Sequence, residues 1–298
     1  MPFPYAGELA GLTTALCWTI TALAFESAGR RIGSLAVNHI RLVIAFFILS
    51  AVCWVHRGLP LPTDATPHAW IWLSVSGLVG FTIGDLCLFR ALVIVGSRTA
   101  TLIMALVPPI TALIGWAVIG EILSVLELLG MALTLSGVAI VILERRPDRK
   151  GEKRKLPIEG ILLGLGGAVG QAVGLVLSKY GMGSYDALAA VQIRIIAGIA
   201  GFSVLFLFIG WWPKIFKAVR DPSAMKGTAL GAFFGPFLGV TFSLIAVKYT
   251  ETGVAATLMA LAPVFIIPPA IFIQKERVST RAVLGAIVAV TGSGLLFL

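Results

Sequence analysis

The chain has 298 residues, of which 58% are hydrophobic and 12% charged, with a mean hydropathy of +0.99. A soluble domain carries roughly 25% charged residues, so this composition excludes a soluble globular protein and points to one that gives most of its apolar surface to lipid. Ten spans of about 20 residues leave no room for a sizeable soluble domain, and the net charge of +9 sits in the connections rather than on a nucleic-acid-binding face.

Apolar windows place helices near 8–28, 35–55, 69–89, 97–118, 123–143, 158–179, 187–210, 226–247, 253–273 and 281–298. No basic stretch precedes the first, and no small-residue cleavage site follows it before Glu26, so a cleaved leader is not expected. The first span holds Trp18 near its middle; the second carries His39 and Arg41; the third carries Gly80, Gly84 and Asp85. Pro108 and Pro109 interrupt the fourth. Glu121 stands before the fifth, where Ser124-x-x-Glu127 reads as a capping box. A polar stretch from Glu144 to Leu156 follows, with a basic run from Arg145 to Lys155.

The second part of the chain holds Gly166, Gly170, Gln171 and Gly174 in the sixth span and Arg194 in the seventh. Gly235 and Gly239 lie in the eighth, Met259, Pro263, Pro268 and Pro269 in the ninth, and Glu276 and Ser279 precede the tenth. Cys17, Cys53 and Cys87 all fall in apolar segments without a CxxC pair or a metal-ligand spacing, and read as buried free thiols. His56 and His68 read as solvated loop residues and His39 as structural. Trp54, Trp70, Trp72, Trp116, Trp211 and Trp212 fall near span ends, where indoles favour the headgroup level.

Connections after the odd spans carry 18 Lys and Arg, against three (Arg57, Lys179 and Lys248) on the other side. The positive-inside bias therefore puts the odd connections, including Arg145–Lys155, in the cytoplasm and both termini outside.

The two parts of the chain repeat each other. At an offset of 155, Met104-Ala-Leu-Val-Pro108 matches Met259-Ala-Leu-Ala-Pro263, Glu121 matches Glu276, Ser124 Ser279, Gly130 Gly285 and Gly137 Gly292. Gly80-x-x-x-Gly84 matches Gly235-x-x-x-Gly239 at the same offset, and Ile40-Arg41 matches Ile193-Arg194 at 153. Five helices per copy is an odd number, so the second copy enters the membrane inverted. Inverted repeats recur in secondary transporters, with the substrate site near the midplane between the copies. The expected fold is an all-α integral membrane protein of ten transmembrane helices, with repeats at 1–143 and 157–298 joined by a linker at 144–156.

These residues also carry a family resemblance. Ala15-Leu16-Cys17-Trp18, Arg41–Ala45, Gly84 with Ala91-Leu92, and the Pro108, Glu121, Gly130, Gly137 series look like one EamA repeat, and the second half repeats most of it. The chain thus resembles the EamA-type members of the drug/metabolite transporter superfamily over nearly its whole length. The resemblance implies a carrier in the plasma or inner membrane that moves amino acids, other metabolites or drugs, often outward, by alternating access. Gly170-Gln171 departs from it, standing where a Trp would be expected.

The prolines free the carbonyls of Met104 and Met259, which then either line a cavity or pair with neighbours such as Thr101 or Thr257. Trp18 and Gln171, at matching places in the two halves, line a cavity or pack. The glycine rows read as close helix contacts. Intramembrane Arg41, Asp85 and Arg194 are functional suspects because burying charge is costly. Arg41 and Asp85 lie at similar depth, so they form a latch or leave the aspartate to carry a proton. Arg194 has no aligned acid, since Val240 stands opposite Asp85. It pairs with Glu127, snorkels to headgroups, or meets a substrate anion.

A cavity between the halves is expected from helices 1, 3, 4, 6, 8 and 9, with Trp18, Met104, Pro108, Gln171, Arg194, Met259 and Pro263 on its wall. Without GxxxxGK[ST], transport must follow a gradient of substrate or protons. No cofactor or metal is expected. A membrane enzyme is the competing class, but HExxH, paired-Asp and G-x-S-x-G motifs are all lacking. A non-transporting scaffold is a third.

Overall fold

The computed structural model describes residues 4–144, 157–268 and 279–298, and these are helical with no strand among them. The basic run Arg145–Lys155, Pro269 and Glu276 lie outside the described residues. Eight helices are long and apolar enough to cross a membrane: α1 (Ala6–Ile32), α2 (Ser34–Arg57), α3 (Pro67–Gly96), α4 (Thr99–Ile119), α5 (Val125–Leu143), α6 (Ile158–Met182), α7 (Ala187–Phe208) and, after the short α8 (Trp212–Ala218), α9 (Pro222–Tyr249). This is a multi-pass membrane protein. The expected ninth and tenth spans are shorter apolar helices, α10 (Thr252–Phe265) and α11 (Thr280–Leu295). The helix expected over 253–273 is broken near its middle, and its continuation past 268 is outside the described residues. Large apolar side chains such as Phe47, Leu113, Trp116, Leu207 and Phe208 face outward, as lipid contact requires.

Local chemistry sets the helix limits. Gly33 (φ +82°) joins α1 to α2 with no intervening loop, and Gly96 (φ +81°) turns α3 into α4; both backbones lie where a side chain would be strained. Thr66 caps α3, Asp186 caps α7, and Asp221 caps α9. Ser124 and Glu127 form the expected reciprocal capping box at α5, at 2.6 and 3.2 Å.

Packing follows the repeat. The first helix of each half lies antiparallel against the third helix of the other. Along α6 and α3, a Cβ on Gly170 would sit 2.9 Å from the Cα of Gly84, and one on Gly174 would sit 3.2 Å from that of Gly80. Along α1 and α9, Gly239 faces Trp18 and Gly235 faces Thr21. The last helices also cross on glycine: Gly137 meets the backbone of Gly285 and Ala289, and Gly292 that of Gly130 and Thr134. Lipid supplies no hydrophobic drive between helices, so association depends on such close approach.

Both third helices contain a π-helical stretch, Leu78–Gly84 in α3 and Phe233–Gly239 in α9, at repeat-matched positions. Each ends immediately before the pair of residues that breaks the symmetry, Asp85 and Val240. Wide turns of this kind are rare and concentrate at functional sites.

Candidate functional site

A cavity of about 390 Å³ lies between the two halves. Trp18, Arg41, Asp85, Met104 and Pro108 reach it from the first half, and Gln171, Arg194, Met259 and Pro263 from the second. All nine residues singled out in the sequence therefore lie on one wall, contributed by α1, α2, α3, α4, α6, α7 and α10. Residues from α9, among them Gly235, Pro236 and Val240, and Val138 and Ile142 from α5 complete it.

The helix breaks at the cavity are a matched pair. In α4 the Ala105 and Leu106 amides bond the carbonyls of Thr101, Leu102 and Ile103, a tight turn that ends one helical segment before Pro108 begins the next. In α10 the Ala260 and Leu261 amides bond Ala256, Thr257 and Leu258 in the same way before Pro263. The prolines have no N–H to offer the carbonyls of Met104 and Met259. The Thr257 hydroxyl donates to the Gly253 carbonyl at 2.8 Å, so it is not the partner of Met259. Non-helical backbone at this depth is tolerated where protein or a water-filled space surrounds it.

Asp85 is buried, and both its oxygens are engaged. Oδ2 accepts from the Arg41 guanidinium, and Oδ1 accepts from the Gln171 amide at 3.0 Å. The same amide nitrogen donates to the Gly80 carbonyl at 3.3 Å, inside the π-helical stretch. Gln171 thus joins the first helix of the second half to the acid of the first. Its role as a partner of Asp85 was not readable from sequence. Arg41 also lies over the Phe25 ring at 5.4 Å.

Arg194 is 5% exposed and does not snorkel to the membrane surface. It lies over Phe81 at 4.8 Å, with its terminal nitrogen against Gly80. Glu127 is not its partner, because that carboxylate is committed to the Ser124 cap on an exposed helix start. His39 is buried edge-on against Phe206 and Trp212 and does not line the cavity. His68 is exposed, as expected, but stands in the first turn of α3 rather than in a loop, with its Nε2 3.2 Å from the Tyr180 carbonyl.

The two ends of the cavity differ. At the face bearing the α4–α5 and α6–α7 connections, polar ties cross between halves. Lys179 donates to Glu121 and to the Thr250 carbonyl, each at 2.7 Å, while the Thr252 amide and hydroxyl donate to Glu121 at 2.9 and 2.5 Å. Glu121, expected to cap its own helix, instead caps α10 of the other half. Nearby, Arg57 and Tyr185 both bond Asp64, at 2.5 and 2.8 Å, and Arg57 stacks on the Tyr185 ring. At the opposite face, more exposed ion pairs cross between the halves, Arg31 with Asp221 and Arg90 with Glu159. Thr101 and Ile142, close to the ends of their helices on that face, belong to the cavity wall.

The model of the EamA-like transporter family matches residues 5–143 and again 158–298, covering both halves. The chain belongs to the EamA-like transporter family. It is also similar to Protein LicB of Haemophilus influenzae, at 31% identity over 140 residues, which is 47% of each chain. The aligned part spans about half of that relative's length. A protein crystal structure superposes with a TM-score of 0.78 over 98% of this chain and 96% of its own, at 19% identity, a likeness of fold. Membership makes the chain a membrane transporter of the drug/metabolite type. Nothing in the family match concerns catalysis, and the described residues hold no cluster of His, Cys, Asp and Glu fit for a metal ion.

Proposed function

We propose that this protein is a secondary carrier that moves a small metabolite through the cavity by alternating access, with export as the direction the family resemblance favours. The observation that carries the reading is the cavity itself, set between repeat-matched helix breaks and closed at one end by polar ties across the halves. Two inverted copies give two equivalent packings of similar energy, and the ties at Glu121 and Asp64 select one of them. The proposal includes ten spans, α10 and α11 among them, in repeats 1–143 and 157–298. It places the linker 144–156 in the cytoplasm of the plasma or inner membrane, with both termini outside. The ties then close the external face.

Within this reading Trp18, Met104, Pro108, Gln171, Arg194, Met259 and Pro263 meet the substrate. Arg41 and Asp85 act as an ionised latch rather than as a proton carrier, supported by the full engagement of the Asp85 carboxylate. Driving energy comes from the substrate's own gradient or from protons taken up elsewhere. The test is a substrate screen with purified protein in liposomes. A carrier gives saturable uptake that is accelerated by unlabelled substrate on the far side. Binding without movement, or chemical change of the substrate, would overturn the reading in favour of a scaffold or an enzyme.

A further inference from the structure

We propose that the substrate is a monoanion, a carboxylate or sulfonate on a compact apolar body, and that Arg194 is its receptor. This rests on the carrier reading for the site and goes beyond it in naming the chemical class. The argument begins with broken symmetry. Arg41 and Arg194 occupy matching positions in the second helix of each half, but the position that gives Arg41 its acid, Asp85, is Val240 in the other copy. Arg41 is consequently paired, while Arg194 and Val240 both line the cavity with no acid of the second half between them.

Among the described residues Arg194 makes no hydrogen bond and no ion pair, and its Nε is buried without a partner. Asp85 is near enough for its charge to act on Arg194, yet both its oxygens are already taken by Arg41 and Gln171. A largely buried guanidinium without a carboxylate of its own is costly, and the surrounding fold is built to keep it. Gly77 admits the Arg194 backbone at a distance no side chain would allow, and a Cβ on Gly80 would press on the terminal nitrogen at 3.3 Å. The ring of Phe81 holds the guanidinium from the remaining side.

Charge counting then selects the ligand. Two arginines and one aspartate leave the wall at +1, so one bound negative charge neutralises the site. A dianion would reverse the excess, and a zwitterion or neutral amide would leave it in place. A guanidinium fork suits a planar carboxylate or an oxyanion with several oxygens. Leu175, Val240, Ala256 and Met259 supply the apolar side of the space.

The test is calorimetric titration of the purified protein in detergent with four probes sharing one apolar body. These are 4-methylpentanoate, its amide, leucine and isobutylmalonate. A charge-assisted contact is worth enough for 4-methylpentanoate to bind at least about tenfold more tightly than the other three. Arg194→Gln should remove that advantage. So should Val240→Asp, which gives Arg194 an internal partner, while Arg194→Lys keeps part of it; unchanged thermal unfolding certifies each variant as folded. Equal binding of the amide or leucine, indifference to both substitutions in folded protein, or no binding of any probe would overturn the assignment. Flux of 3-methylbutane-1-sulfonate, which cannot cross lipid uncharged, separates the two layers of the argument. Binding without flux into liposomes contradicts the carrier, whereas saturable flux of leucine with no anion preference contradicts the substrate class alone.

Discussion

Asp85 is buried and paired with the partly buried Arg41, with Gln171 completing the acid's hydrogen bonds. Removing one partner of such a pair strands the other charge, at a cost of about 3–5 kcal/mol. Asp85→Asn and Arg41→Gln should therefore each lower the unfolding temperature, with the double variant little worse than either single one. Additive losses would mean that the two side chains act independently. If Asp85 instead carried a proton, Asp85→Asn would abolish pH-driven uptake and spare substrate exchange. At the tied face, burial and the hydrogen bond to Asp64 raise the Tyr185 hydroxyl from 10.0 to about 12. The folded state then keeps a proton that the unfolded chain loses above pH 10, so this contribution is present below pH 10 and fades as pH rises towards 12. Unfolding temperatures measured across that window should fall more steeply for the wild type than for Tyr185→Phe.

Helix pairs in this molecule are decided by glycine, and their tolerance differs sharply within the α5–α11 pair. A methyl group on Gly137 would meet the backbone of Gly285 and Ala289, whereas one on Gly294 meets nothing within 4 Å. Gly137→Ala should cost about 1–3 kcal/mol through overpacking, and Gly294→Ala should be neutral or slightly stabilising, both read from thermal unfolding in detergent. Much of this level was legible in sequence, because Gly130, Gly137, Gly285 and Gly292 recur at one offset and a small residue has one physical use there. The proline breaks were legible for the same reason. What was not legible depends on which helices cross. Glu121 finds Lys179 and Thr252 only because α4, α6 and α10 converge at one face, and no spacing along the chain encodes that. The π-helical stretches were hidden too, since Gly80 and Gly84 read equally well as an ordinary helical stripe. Ionisable residues were found because charge in an apolar segment stands out. Their partners, Gln171 for Asp85 and none among the described residues for Arg194, needed the fold.

At the scale of the whole molecule the halves meet around a cavity in the middle, with hydrogen-bonded ties at one end and more exposed ion pairs at the other. Reporter fusions at Arg149 and at Leu298 should lie on opposite sides of the membrane, and the same side for both would refute the ten-span topology. Glu121→Gln removes the charge that Lys179 and Thr252 share and should shift the balance of states towards opening at the tied face. The measurement that reaches the central claim most directly uses single cysteines at Trp18, Met104 and Met259, in protein whose Cys17, Cys53 and Cys87 have been replaced. In vesicles of known orientation, a small membrane-impermeant thiol reagent is applied from one side and then, in a separate sample, from the other. Alternating access predicts that the three positions are modified from either side, with Glu121→Gln accelerating modification from the tied face, while cysteines at lipid-facing Leu113 or Leu207 stay protected. Modification from one side alone, or protection of all three positions, would contradict it.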